Sequence, residues 1–124
     1  MLEQEKKDLF ILEKNYEVSL RVLKSVIGKE EVEYLMEDKP IMLNVCYDYD
    51  GYLGRCINHI DYYEIVIYNK ILHTNYKKMR EVIIHEIIHT FKNTTAHDGI
   101  WFYYADLISL YTSYNIRYAE FDEE

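Results

Sequence analysis

The chain is poor in the residues that staple or interrupt small folds. Its 124 residues include one proline, four glycines, one tryptophan and two cysteines. Cys46 and Cys56 cannot form the disulfide framework of a small secreted domain, and their spacing matches no zinc ribbon. In a reducing compartment we expect both to be free, packed thiols.

Long apolar segments are also missing. No run of about 18 apolar residues occurs, as a membrane-spanning helix would require. The first eight residues, MLEQEKKD, lack the basic start and the apolar block of a signal peptide. We therefore expect a cytoplasmic protein with no membrane segment.

Basic residues are outnumbered, with 14 Lys and Arg against 22 Asp and Glu and a formal net charge of −8. Affinity for a phosphate backbone comes largely from clustered Lys and Arg, so nucleic acid is not expected as a partner of this chain alone. Lys70, Lys77, Lys78 and Arg80 form one basic cluster. It fits either a local basic patch or, as we favour, the solvated outer face of a helix.

The composition is that of one folded domain over residues 1–124, because a hydrophobic content of 49% is enough to bury a core without staples. Apolar residues at three- and four-residue steps predict a long helix over 3–27. A short second helix is predicted over 30–37, where Pro40 would cut it off. An acidic tail covers about 118–124, and its residues 120–124 are expected to be disordered.

Two strand-like runs, 41–47 and 52–58, lie on either side of an Asp50-Gly51 pair, which is a strong hairpin signal. A third strand is predicted over 63–68. We therefore expect an α+β fold with a three-stranded, mostly antiparallel sheet whose first two strands form a hairpin. The register of that hairpin decides whether the two cysteines face each other.

The most informative stretch is His85-Glu86-Ile87-Ile88-His89, which lies inside an apolar helical pattern. Residues four apart lie above one another on one helix face, so both imidazoles can reach one metal ion. Glu86 would lie beside that ion, where a general base can take a proton from a water that the metal activates. Chains of this composition contain such a motif by chance in roughly 2% of cases, so two incidental helix histidines are the weaker interpretation.

His97, eight residues after the motif, is the natural third ligand. Catalytic zinc sites typically take three protein ligands and leave a fourth position open. We therefore predict one Zn²⁺ ion held by His85, His89 and His97. Glu64 and Asp106 are carboxylate alternatives to His97, but zinc's preference for imidazole favours the histidine.

Other polar residues have candidate supporting roles. His59 and His73 lack a partner four residues away and are interpreted as surface or turn histidines. Asp106 or Asp98 is expected to hold a ligating ring from behind, and Asp98 also suits the N-cap of a last helix to about residue 115. Candidates for an oxyanion-stabilising donor are Tyr103, Tyr104 and Tyr111. The buried stripe of the last helix is predicted at Trp101, Tyr104, Ile108 and Tyr111.

The residues around the motif resemble the SprT-like zinc metallopeptidases, a family that includes bacterial SprT-like proteins and the Spartan protease domain. The segment 84–90, followed by His97 and Trp101, is similar to the family's H-E-x-x-H-T, short loop and H-G-x-x-W. Residues 53–56, Leu-Gly-Arg-Cys, are similar to a strand of the family, as are residues 64–68. The resemblance covers roughly half to two-thirds of the chain.

This resemblance implies a minimal zincin-like fold in which a C-terminal helix follows the third ligand. It implies a zinc-dependent peptidase that acts on a protein or peptide substrate, with Glu86 as general base. Pairing of an extended substrate with the third strand, 63–68, would fit this design, and an ordinary sheet edge is the alternative interpretation of that strand. Asp98 departs from the pattern, which usually has Gly there.

Three other functions compete with the peptidase. One is a metal hydrolase acting on a non-peptide substrate, since the same ligands and base suit any water attack on a polarised centre. Another is a catalytically silent, metal-stabilised protein-interaction module. The third, a DNA-linked protease, would need an added basic or zinc-ribbon segment.

Overall fold

The computed structural model describes residues 2–94 and 97–119, and its fold is of the predicted α+β class. The helices are α1 (Glu3–Ile27), α2 (Lys29–Leu35), α3 (Tyr76–Ile88) and α4 (Gly99–Tyr111), with a 3₁₀ helix at Asn69–His73. The strands are β1 (Ile41–Cys46), β2 (Gly54–Asn58) and β3 (Tyr63–Tyr68). No helix in the described ranges combines the length and apolar content needed to cross a membrane.

α1 has the predicted extent and packs mainly against α3 and α2. Its buried positions recur at three- and four-residue steps, at Asp8, Leu12, Asn15, Ser19 and Leu23. The buried face of α1 is therefore more polar than the apolar periodicity indicated. Asp8 and Asn15 can be buried there because their side chains are hydrogen-bonded. α1 ends at Gly28, whose φ of +113° lies in the region that favours glycine.

The sheet has the strand order β1-β3-β2, so the predicted hairpin between β1 and β2 is wrong. β1 runs parallel to β3 and β2 runs antiparallel to it, which makes the sheet mixed rather than mostly antiparallel. β3 takes the centre because its inward side chains, Ile65 and Ile67, are fully buried and need cover on both sides. Asp50 and Gly51 do form a tight turn, but within a connection that carries β2 to the far side of β3.

This strand order changes two further expectations. Cys46 pairs with Tyr68 and Cys56 with Ile65, so the cysteines lie on opposite sides of β3, and both are free. The central position of β3 also means that it cannot accept a substrate strand. β1 and β2 each pair with β3 along one side only within the described sheet, so either is an edge to which an extended segment could add.

α3 is the central element of the core. It begins at Asn75, whose side chain accepts a hydrogen bond from the Lys78 N–H at 2.7 Å. Six of its apolar side chains are fully buried: Met79, Val82, Ile83, Ile84, Ile87 and Ile88. A helix that is apolar nearly all round must be covered on every side, and α3 contacts α1, α4, β2 and β3.

Asp98 caps α4 as predicted, with its carboxylate accepting the N–H of Trp101 at 2.9 Å. α4 ends at Tyr111 rather than near residue 115, and Tyr111 is exposed rather than buried. The buried stripe instead follows Trp101, Ala105 and Ile108, because successive steps of four and three residues keep those positions on one face.

The chain remains part of the fold beyond α4. Ile116 and Ala119 are both buried. The tail predicted to be disordered, residues 120–124, lies outside the described residues.

Candidate metal centre

Three histidine rings meet where the end of α3 approaches the start of α4. The Nε2 atom of His97 lies 3.0 Å from Nε2 of His89 and 3.1 Å from Nε2 of His85. The ring centroids are 4.7 to 5.3 Å apart. The structure thus brings together the three histidines that the sequence indicated as ligands.

This donor set fits one metal ion. A tetrahedral zinc ion with Zn–N bonds of about 2.0 to 2.1 Å holds its nitrogens roughly 3.3 Å apart, close to the observed spacings. A neutral imidazole offers one nitrogen lone pair to a metal, so three converging rings supply three ligands and leave a position open. Imidazole also suits copper, iron and nickel, so the donors define a metal site without selecting the metal.

The loop after α3 delivers His97 to the other two rings. The hydroxyls of Thr90 and Thr94 donate to the carbonyls of the last two residues of α3, at 2.7 and 2.6 Å. These bonds satisfy carbonyls that a helix end leaves without partners. Asn93 then adopts a left-handed φ of +67°. Thr90 and Thr94 thus hold the start of the loop against the end of α3, and His97 lies beside the histidines at that end.

Trp101 forms the floor of the cluster. Its ring centroid lies 4.6, 5.2 and 4.4 Å from those of His85, His89 and His97, and its side chain is fully buried. A large rigid ring in contact with all three imidazoles limits their rotation. Periodicity alone assigned Trp101 only to a buried stripe, although its spacing of four residues from His97 was a signal of this contact.

The first ligand, His85, is oriented by a backbone group. Its Nδ1–H donates to the carbonyl oxygen of Ile116 at 2.6 Å, and because a carbonyl can only accept, the proton lies on Nδ1. Nε2 then carries the lone pair that faces the other two histidines. Such partners behind a ligand fix both its tautomer and its ring orientation.

Asp106 and Asp98, the residues predicted to hold a ligating ring, form other hydrogen bonds. Asp106 forms a bidentate pair with Arg117, at 2.8 and 2.9 Å, and this hydrogen bonding holds the pKa of Asp106 below its usual value. Asp98 is occupied as the cap of α4. Both carboxylates thus have partners other than the ligating rings, and their supporting role stays a prediction.

Glu86 is adjacent to the cluster but is not one of the converging donors. It is 1% exposed and lines a cavity of about 360 Å³ together with His89. The opposite wall of this cavity is β2, including Arg55 and Asn58. A carboxylate and a candidate ligand therefore face a space into which a substrate can enter.

Gly54 allows β2 to approach Glu86. A Cβ atom at this position would lie 2.6 Å from Cγ1 of Val82 and 3.3 Å from Cγ of Glu86, which is too close for an undisturbed side chain. The absence of a side chain at Gly54 therefore allows β2 to pack closely against α3.

Cys56 contributes an inert wall to the same cavity. Burial, with a smaller contribution from the negative charge of Glu86, raises the pKa of its thiol to about 12. The thiol is therefore neutral at physiological pH and is a poor nucleophile.

The remaining histidines lie away from the cluster. His59 forms a 2.8 Å hydrogen bond with Glu64, and this bond holds the pKa of Glu64 below its usual value. Glu64 is thus occupied elsewhere and is not a third ligand. His73 forms a 2.9 Å hydrogen bond with the buried carboxylate of Asp8, beside the 3₁₀ helix.

The tyrosines predicted as oxyanion donors do not reach the cavity. Tyr103 and Tyr111 are exposed, and Tyr104 packs against Phe91. None of the three is among the residues that line the space beside Glu86. Two other tyrosines do line it, Tyr52 and Tyr63, and the strand pattern alone gave no reason to select them.

The basic cluster lies at a separate site. Lys70, Lys77 and Lys78 line a second cavity of about 700 Å³ at the start of α3, where Glu81 also contributes. Arg80 instead donates to Asn15 of α1 at 3.0 Å. The cluster is therefore divided between a cavity wall and a contact between helices.

The fold and the site together define an α+β protein with a three-histidine cluster that can hold one metal ion. No protein-family model, curated protein or solved structure matches the chain. The resemblance to the SprT-like group therefore rests on the motif residues themselves.

Proposed function

We propose that this protein is a cytoplasmic, zinc-dependent metallopeptidase of SprT-like type that hydrolyses a protein or peptide substrate. The observation that carries the proposal is the convergence of three imidazole Nε2 atoms beside Glu86, a buried carboxylate outside the donor set. The excess of acidic residues argues against nucleic acid as the partner of this chain.

Glu86 supplies the proton transfers. A zinc ion, when bound, polarises the scissile carbonyl and lowers the pKa of a water to about 7. The Glu86 carboxylate accepts a proton as the water attacks, and it then donates that proton to the departing amine. Its burial strengthens these steps because a charge acts more strongly where water is excluded.

β2 positions the substrate. One wall of the cavity beside Glu86 is formed by residues of β2, and β2 is an edge of the described sheet. An extended peptide can therefore hydrogen-bond to the backbone of β2 and place a carbonyl near the histidines. Recognition through the backbone favours an extended segment over a folded one, because a folded segment already uses its amides.

Replacement of Glu86 by Gln tests the proposal. Glu86→Gln keeps the volume of the side chain but removes the base. The rate of peptide hydrolysis should therefore fall by about 10²- to 10⁴-fold, while the bound metal is retained. The matched control is Glu33→Gln, since Glu33 is an exposed residue of α2 that pairs with Lys29. Undiminished cleavage of a protein substrate by Glu86→Gln would contradict the proposal.

The wild-type protein separates the remaining functions. Hydrolysis of esters or phosphoesters without hydrolysis of peptides would indicate a metal hydrolase of another substrate class. A zinc-dependent rise in Tm without any hydrolysis would indicate a metal-stabilised interaction module. The exposed apolar residues on the outer face of α4, Ile100, Tyr103 and Leu110, favour the module as the second candidate.

A further inference from the structure

The segment that follows α4 contacts α3 at two points one helical turn apart. The N–H of Asn115 donates to the carboxylate of Glu81 at 2.6 Å. The carbonyl of the next residue, Ile116, accepts from Nδ1–H of His85 at 2.6 Å. Glu81 and His85 are four residues apart and so lie on the same face of α3. One short stretch of backbone therefore joins a buried carboxylate to the first candidate ligand.

The two contacts differ in their exposure to solvent. His85 and Ile116 are fully buried, whereas Glu81, which is 5% exposed, and Asn115 both line the second cavity. A hydrogen bond from a backbone N–H to a carboxylate is among the stronger hydrogen bonds in proteins. The Asn115 contact is therefore a strong attachment between the segment and α3.

The segment needs such an attachment because it has no helix or strand of its own at residues 112–116. Its other hydrogen bonds are internal or lead back to α4. The N–H of Ile116 donates to Ser109 at 3.3 Å, and the N–H of Tyr114 donates to the hydroxyl of Thr112 at 3.0 Å. Two hydrogen bonds of the described residues join the segment to α3, one to Glu81 and one to His85.

Glu81 also contacts Lys77, with Nζ 3.7 Å from the carboxylate. That pair does not explain the burial of Glu81, because an ion pair four residues apart on a helix forms equally well at the surface and stabilises little. The Asn115 N–H does explain it, since this donor lies where the segment crosses α3.

We propose that Glu81 is a positioning residue for the metal centre. It fixes the backbone at Asn115, and thereby holds the Ile116 carbonyl where it orients His85 with Nε2 toward His89 and His97. This inference rests on the metal centre of the proposed function but not on peptidase activity. The Glu81 carboxylate thus acts on His85 indirectly, through the Asn115 N–H and the Ile116 carbonyl.

Metal affinity and the spectrum of bound cobalt test this role. Glu81→Ala removes the acceptor, and we expect zinc affinity, measured by chelator competition, to fall by about 10- to 100-fold. The visible absorption bands of the Co²⁺ form should also change, because His85 loses its fixed orientation. Glu81→Gln keeps an acceptor oxygen and should restore both the affinity and the bands.

A second pair of variants approaches the same contact from the other side. Asn115→Pro removes the N–H without changing α3, whereas Asn115→Ala retains it, so only the proline variant should lose zinc affinity. This pair decides the matter if Glu81→Ala does not fold. Zinc affinities within twofold of wild type in a folded variant lacking the contact would overturn the role of Glu81.

These measurements need no substrate, so the role of Glu81 can hold in a protein that hydrolyses nothing. Conversely, the peptidase proposal can hold while the role of Glu81 fails. In that case Glu86→Gln abolishes hydrolysis, but Glu81→Ala leaves zinc affinity unchanged. A wild-type protein that binds neither zinc nor cobalt would overturn both proposals.

Discussion

His73 and His85 both belong to hydrogen-bonded clusters, yet the two clusters contain different partners. His73 contacts the carboxylate of Asp8, which also accepts hydrogen bonds from Gln4 and from the hydroxyl of Tyr47. His85 instead approaches His97, a group of its own kind, with a nitrogen separation of 3.1 Å. The first cluster pairs each donor with an acceptor, whereas the second brings like groups together.

This difference separates a structural cluster from a binding site. A buried carboxylate with several donors is satisfied within the protein and needs no ligand. The three histidine Nε2 atoms lie within hydrogen-bond distance of one another, and the same spacing suits three ligands of one cation. Trp101 and the Ile116 carbonyl help to hold the imidazoles in this arrangement.

The largest expected effect is on zinc affinity, when one histidine of each cluster is replaced by alanine. His97→Ala should lower zinc affinity by more than about 100-fold, because losing a direct ligand should cost more than losing a group behind one. His73→Ala should leave zinc affinity within about twofold of wild type, since His73 lies in the other cluster. Chelator competition on both variants checks this, and equal zinc losses would erase the distinction between the clusters.

A smaller effect is expected for Asp8. Burial alone would raise its pKa, but hydrogen bonds from Gln4, Tyr47 and His73 outweigh burial and lower it. A lowered pKa in the folded state means that the ionised group stabilises the fold above its ordinary pKa of 3.8. This stability is lost as the pH falls through the lower folded value.

Asp8→Asn measures that contribution. At pH 7 the variant should lose about 2 to 3 kcal/mol of unfolding free energy, because hydrogen bonds to a charged group are replaced by weaker ones. The difference from wild type in urea denaturation should shrink as the pH drops below 4. A difference that stayed constant from pH 7 to pH 2 would show that the carboxylate charge is not what stabilises this cluster.

The smallest expected effect is on stability, at Gly54, where β2 packs against α3. Gly54→Ala would place a methyl group against Val82, and we expect a loss of about 1 to 2 kcal/mol of unfolding free energy. Gly99→Ala is the matched control, because a Cβ there meets nothing within 4 Å, and it should stay within about 0.5 kcal/mol. Urea denaturation of the metal-free forms distinguishes them, and a neutral Gly54→Ala would mean that the approach of β2 is not tightly constrained.

Much of the helical structure could be predicted from the sequence. α1 has the predicted bounds, Asp98 caps α4, and the i, i+4 spacing placed His85 on the same side as His89, the C-cap residue of α3. These features depend on neighbours within about one helical turn, so periodicity and capping chemistry report them directly.

The sheet could not be predicted in the same way. The Asp50-Gly51 turn forms, but the turn does not decide which strands pair. Pairing depended on which strand had to be covered on both sides, and that requirement belongs to the assembled core. The strand that could pair with an extended substrate changed with it, because β3 is central and β2 is an edge that lines the cavity.

The amino-acid sequence by itself determined the α+β class, the helix that carries His85, Glu86 and His89, and the choice of His97 as their companion. Only the tertiary structure decided the strand order and the groups that hold the rings in place. The reason is physical. A ligand has a residue identity that can be read from the chain, whereas the Ile116 carbonyl is a backbone group common to every residue, and only folding selects which one meets His85.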